Sequence, residues 1–234
     1  PDFARCRTGE GRYDILRSRL RGDSMLARLS GLVPEIGGAL RRFPEAALVA
    51  LAGTLLGCTL AAELLDTGNA SGLAWLWEAY FALVVLWPVA FAMGLYAERN
   101  ATAPSQRAAS FIAAAVVIGL LIAFTFAADL SLGLLLTCAV LTPALAAHLR
   151  QPKDNAAFWM FNHDLWLGFA MAVIGGSLVA LSFSAIYATL SALFQIQVGH
   201  YVFSCTYVIA ASLAGPLIWM TLAPRASRAQ TETS

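Results

Sequence analysis

The residues most able to do chemistry in this sequence lie in one short run, Phe158-Trp159-Met160-Phe161-Asn162-His163-Asp164-Leu165-Trp166-Leu167-Gly168. An imidazole between a carboxamide and a carboxylate can move a proton, contribute to a metal site, or satisfy backbone N–H groups at the start of a helix. His148 is a further imidazole, so His163, His148 and Asp164 are the set from which a metal centre could be assembled. The neighbouring Phe158, Trp159, Phe161 and Trp166 have the chemistry of an aromatic belt at the headgroup level of a membrane. That setting favours a structural role, with Asn162, His163 or Asp164 capping or orienting an entering helix. A second set, the acids Glu63, Asp66, Glu78 and Asp129, could converge on a cation. Depletion of positive charge from one side of a membrane leaves acids there by default, so these four are not assigned to a site.

Other familiar chemistry has no foothold. There is no HExxH, GxSxG or Walker A pattern. Cys6, Cys58, Cys138 and Cys205 show no CxxC or Cys/His spacing and read as small apolar packing residues. No catalytic residue, cofactor or metal is assigned, and the near balance of 15 Lys plus Arg against 14 Asp plus Glu implies no nucleic-acid partner.

The elements that must carry these residues are membrane helices. Hydrophobic residues make up 59% of the 234 and charged ones 12%, with a mean hydropathy of +0.69, far from the balance of a soluble domain. Crossing the hydrocarbon takes about 20 apolar residues. Six stretches qualify: Ala46 to Leu65, Leu73 to Ala97, Ala108 to Ala127, Leu130 to Leu149, Leu165 to Leu190 and Tyr201 to Ala223. The expected fold is an all-α polytopic bundle of six helices within residues 45–224, the third and fourth forming a tight hairpin at Ala128 and Asp129. Basic residues fall only in alternate connections: nine before Pro44, then Arg99 and Arg107, then Arg150 and Lys153, then Arg225 and Arg228. By the positive-inside rule both ends are expected in the cytoplasm, and the pattern suits a bacterial inner membrane.

Residues 1–44 read as an Arg-rich cytoplasmic leader, with Met25 a plausible start and an amphipathic interfacial helix, or a disordered leader, before Leu40. Residues 225–234 read as a flexible tail. Small residues recur as Gly53 and Gly57, and again as Gly168, Ala172, Gly176, Ala180, Ser184 and Ala188, a spacing that lets helices approach closely in lipid. A seam inside the monomer is favoured over a dimer contact. Pro88, Pro143 and Pro216 fall inside the second, fourth and sixth stretches, where kinks are expected.

Arg41-Arg42-Phe43-Pro44, the Phe-Trp-x-Phe-Asn-His run, Leu193-Phe194, Gly215-Pro216-Leu217 and Leu222-Ala223-Pro224 together resemble a bacterial family of polytopic inner-membrane proteins, the four-one-five-three domain of unknown function. The resemblance covers about residues 40–224. It implies no activity and no site residues. It does imply further membrane helices downstream, so the chain is expected to be the amino-terminal part of a longer protein. The favoured function is a non-enzymatic scaffold or assembly component, in contact with the lipid bilayer and with other membrane subunits or the missing carboxy-terminal region. The alternative is a transporter or lipid-handling protein with a weakly polar cavity lined by Thr125, Thr137, Ser177 and Ser182. The lack of ionisable groups near mid-membrane counts against a proton-coupled carrier; an intramembrane enzyme, which a metal held by His163, His148 and Asp164 would favour, is the third reading.

Overall fold

The computed structural model of the chain describes residues 25–67, 74–100, 102–127, 132–146, 149, 155–195 and 199–224. Among them all regular structure is helical. We label the helices α1 (Met25–Arg42), α2 (Pro44–Thr67), α3 (Ala74–Asn100), α4 (Pro104–Ala127), α5 (Leu132–Ala146), α6 (Asn155–Phe194) and α7 (His200–Leu222), the last containing a π-helical turn at Ala210–Ala214. Five of them, α2, α3, α4, α6 and α7, are long and apolar enough to cross a membrane. Helices satisfy their own backbone polar groups, which is why a chain this apolar takes this form. The protein is an all-α polytopic helical bundle. Residues Pro1–Gly38 and Ala39–Ser234 are two separate compact units, so α1 is divided between them. His148, Arg150, Lys153, Asp129, the leader before Met25 and the tail after Pro224 lie outside the described residues, as does the hairpin turn expected at Ala128 and Asp129.

Within the fourth stretch the described helix is α5, Leu132–Ala146, and residues 130–131 and 147–148 lie outside the described residues. One expected span is corrected: the fifth begins well before Leu165. α6 runs 40 residues from Asn155, about 60 Å, because Ala156 to Met160 contain neither Gly nor Pro to stop a helix. It ends at Gln195, whose φ of 54° is left-handed, a conformation that terminates helices.

Packing follows from which faces carry small and aromatic residues. α3 is a hub: α2, α4 and α5 all pack against it. α6 packs along α7, and α2 joins the two groups by touching both α3 and α7. At the junction Phe43 meets Phe91 edge-on at 5.0 Å, Phe91 stacks on Trp87 at 5.7 Å, and Trp219 lies 5.5 Å from Trp87 and 5.2 Å from Phe91. Gly94 is required beneath Phe43, since a Cβ there would sit 2.6 Å from the ring.

The small residues lie in seams within the chain. On α6, Gly168, Ala172, Gly176 and Ala180 are buried, Ser184 is half-buried and Ala188 is exposed. A Cβ on Gly168 would be 3.3 Å from Leu222 Cβ, and one on Gly176 3.2 Å from the Ala210 carbonyl oxygen. On α2, Gly53 faces Leu83 of α3, and Gly57 sits between Val208 of α7 and the Tyr80 ring. Pro88 and Pro143 are buried inside α3 and α5, which continue through them. At Pro216 the response is a π turn: the Gly215 N–H donates to the Ala210 carbonyl, five residues back. Proline offers no N–H to the carbonyls before it, and the lengthened turn is a way to absorb that loss.

Candidate functional site

The aromatic run does not enter a helix; it lies inside one. Asn162, His163 and Asp164 are about two to two and a half turns beyond Asn155, where backbone N–H groups already have helical partners, so none of the three is an N-cap. The run is split between two faces. Phe161, Asn162 and Leu165 are buried, whereas Trp159, Met160, His163 and Asp164 are exposed. Trp159 lies edge-on to Phe158 at 5.7 Å, and Trp166 edge-on to Phe169 at 5.5 Å. On the buried face the Trp219 indole N–H donates to the Leu165 carbonyl at 3.1 Å, which ties α6 to the end of α7. His163 Nδ1 is 3.2 Å from Asp164 Oδ1, with both side chains largely exposed. No group of three or more His, Cys, Asp or Glu side chains suited to a metal occurs among the described residues.

Asn162 is the unexpected member. Its side chain is buried and its Oδ1 has no hydrogen-bond donor. An unsatisfied buried acceptor costs about 1–3 kcal/mol, and an apolar group of similar shape removes that cost. Asn162→Leu is therefore expected to leave the thermal melting point in detergent unchanged or raise it. A clear fall would show that the carboxamide is held by a partner that the folded chain acquires elsewhere.

The hydroxyls expected to line a polar cavity do not do so together. Thr125 donates to the Leu121 carbonyl, Thr137 to Gly133 and Ser182 to Leu178, each one turn back in its own helix. Such back-bonding leaves them little capacity for a solute. Ser177 alone of the four lines a cleft, and that cleft is apolar.

This cleft, 610 Å³ in volume, lies between the α3–α5 pair and the α6–α7 pair. Its floor is buried: Trp87, Pro88 and Trp219, with Ala172, Gly176 and Ala180 of the α6 seam. Val173, Ser177, Leu181 and Tyr207 form an exposed rim. The π turn contributes Ala210, Ala211 and Gly215 to the wall. The Trp87 indole N–H is also unpartnered, but it is sealed from contact by its surroundings. No charged side chain lines the cleft. It can therefore hold an apolar group and offers almost nothing to a hydrophilic one.

Sequence reading missed a polar network at one end of the bundle. Arg42 pairs with Glu98 of α3 at 2.7 Å and donates to the carbonyls of Ala223, at 3.0 Å, and Pro224, at 2.8 Å, after α7. Arg107 of α4 pairs with Glu45 of α2 and donates to the Arg42 carbonyl at 3.3 Å. Five helix ends, those of α1, α2, α3, α4 and α7, are held together by two guanidinium groups. Planar guanidinium with several fixed donors suits this task better than an ammonium would.

No family model, characterised protein or solved structure matches the chain.

Proposed function

We propose that the chain is a non-catalytic, multi-pass membrane protein that accommodates the hydrocarbon chain of a lipid in the cleft between α3, α5, α6 and α7. The observation that carries this reading is a 610 Å³ apolar cleft with a buried aromatic floor and a rim of exposed Val173, Leu181 and Tyr207, three of whose four walls, α3, α6 and α7, are helices long and apolar enough to cross a bilayer. Hydrocarbon is the medium at that depth. The scaffold reading draws on small-residue packing and on the lack of catalytic or mid-membrane charged groups; the buried small residues face helices of the same chain. In this reading the arginine-rich end faces the cytoplasm of a bacterial-type inner membrane. Membership of the family that the sequence resembles is part of the same proposal.

Ser177→Trp tests the reading, because residue 177 is on the exposed rim, where a large side chain can enter the cleft without displacing a buried neighbour. Wild-type protein extracted in a mild detergent is expected to carry lipid detectable by native mass spectrometry. The variant should lose most of it with an unchanged melting point. Equal lipid retention by the two proteins would overturn the proposal.

A further inference from the structure

Cys58 of α2 and Cys205 of α7 face one another, and we infer that they are an oxidisable pair whose disulfide ties the two helices together. The Cys58 thiol donates toward the Cys205 carbonyl at 3.9 Å, and the Cys205 thiol toward the Cys58 carbonyl at 3.7 Å. The two thiol groups also interact with one another. Side chains that each reach the other's main chain lie alongside, and a disulfide needs that kind of approach, with Cα atoms about 4.4–6.8 Å apart. A small neighbour permits it: a Cβ on Gly57 would stand 2.7 Å from Cγ1 of Val208, which is about one turn along α7 from Cys205. The two cysteines are 147 residues apart in the chain, so no short Cys spacing announces the pair.

Both are free thiols and only half-buried, so neither is sealed from a reagent. Their contacts to carbonyls are weak ones that a reaction can replace. The oxidant is a molecule that carries a disulfide, acting by exchange. One cysteine thiolate attacks a donor sulfur, forms a mixed disulfide and releases the first donor thiol. The other cysteine thiolate then attacks the protein sulfur of that mixed disulfide and releases the second. The protein loses two electrons and two protons, and the donor takes them up as two thiols. Cys205 lies five residues, about 7.5 Å, inside the start of α7, at the end of the bundle opposite the Arg42 network. In the orientation proposed above, that end faces away from the cytoplasm, on the side where disulfides persist. α2 touches both α3 and α7, so the link holds together the two groups of helices between which the cleft lies.

The chemistry of the pair does not depend on what the cleft holds. The test treats the detergent-purified full chain with dithiodipyridine, an aromatic disulfide that enters lipid and detergent, and maps the unreduced digest by mass spectrometry. In most molecules the peptides bearing Cys58 and Cys205 are expected to be joined to each other, with no pyridine adduct on either, and to separate on reduction. Cys138, exposed on α5 and outside the pair, should keep its adduct. Cys205→Ala should trap the adduct on Cys58 in the same way. Ser177→Trp should cross-link as wild type does, so failure of the lipid reading leaves this result standing. Separate stable adducts on Cys58 and Cys205 in wild type, or no reaction at either under conditions that label Cys138, would overturn the inference.

Discussion

Arg42→Ala is expected to destabilise the bundle by about 1–3 kcal/mol, the range for losing hydrogen bonds to a charged group at a half-buried site. Three interactions vanish together: the pair with Glu98 and the donations to the carbonyls of Ala223 and Pro224. The Arg42 side chain is 17% exposed and that of Glu98 31%, so the carboxylate left behind is partly screened by water, which keeps the loss below that of a fully buried pair. The two carbonyls lie just past the end of α7 and have no helical donor of their own. Arg42→Lys should recover only part of the loss, because an ammonium cannot meet a carboxylate and two carbonyls in one plane. Melting curves of the purified variants check both expectations. A melting point for Arg42→Ala equal to that of wild type would show that the network is incidental to stability.

Gly176→Leu is expected to cost about 2–3 kcal/mol, at the upper part of the range for overpacking. The Cβ alone would be 3.2 Å from the Ala210 carbonyl oxygen and 3.7 Å from Gly215 Cα and nitrogen. These are backbone atoms of the π turn, which cannot rotate away as a side chain can. Gly176→Ala is expected to cost less, since a shift of a few tenths of an ångström accommodates one methyl group. The leucine variant should also part α6 from α7 and alter the wall of the cleft. Unchanged melting of Gly176→Leu would mean that the seam is loose enough to take a side chain.

Helix type and approximate spans were legible because apolar length is a property of contiguous sequence. Boundaries were less so. Asn162-His163-Asp164 has the composition of a cap, yet the helix already begins at Asn155 and runs through the triplet, and nothing in a polar triplet distinguishes a helix start from a turn inside a helix. The Gly215-Pro216 pair signalled a perturbed helix, and the form that it takes, a π turn donating to Ala210, depends on α6 lying against it. The cleft and the arginine network were hidden. Arg42 and Pro224 are 182 residues apart, and their meeting is set by how α2, α3 and α7 pack rather than by any local spacing. The hydroxyls misled for a local reason: Thr125, Thr137 and Ser182 serve their own helices.

Photocrosslinking in vesicles made with a phospholipid that carries a diazirine midway along one acyl chain tests the lipid-cleft proposal most directly. The account predicts that adducts mapped by mass spectrometry concentrate on the cleft residues Val173, Ser177 and Leu181 of α6 and Leu136 and Val140 of α5. Ile112, Val116 and Leu120, exposed on α4 and outside the cleft, should be labelled distinctly less. Ser177→Trp should remove that excess. Labelling of the α4 face equal to that of the cleft, unchanged by Ser177→Trp, would contradict it.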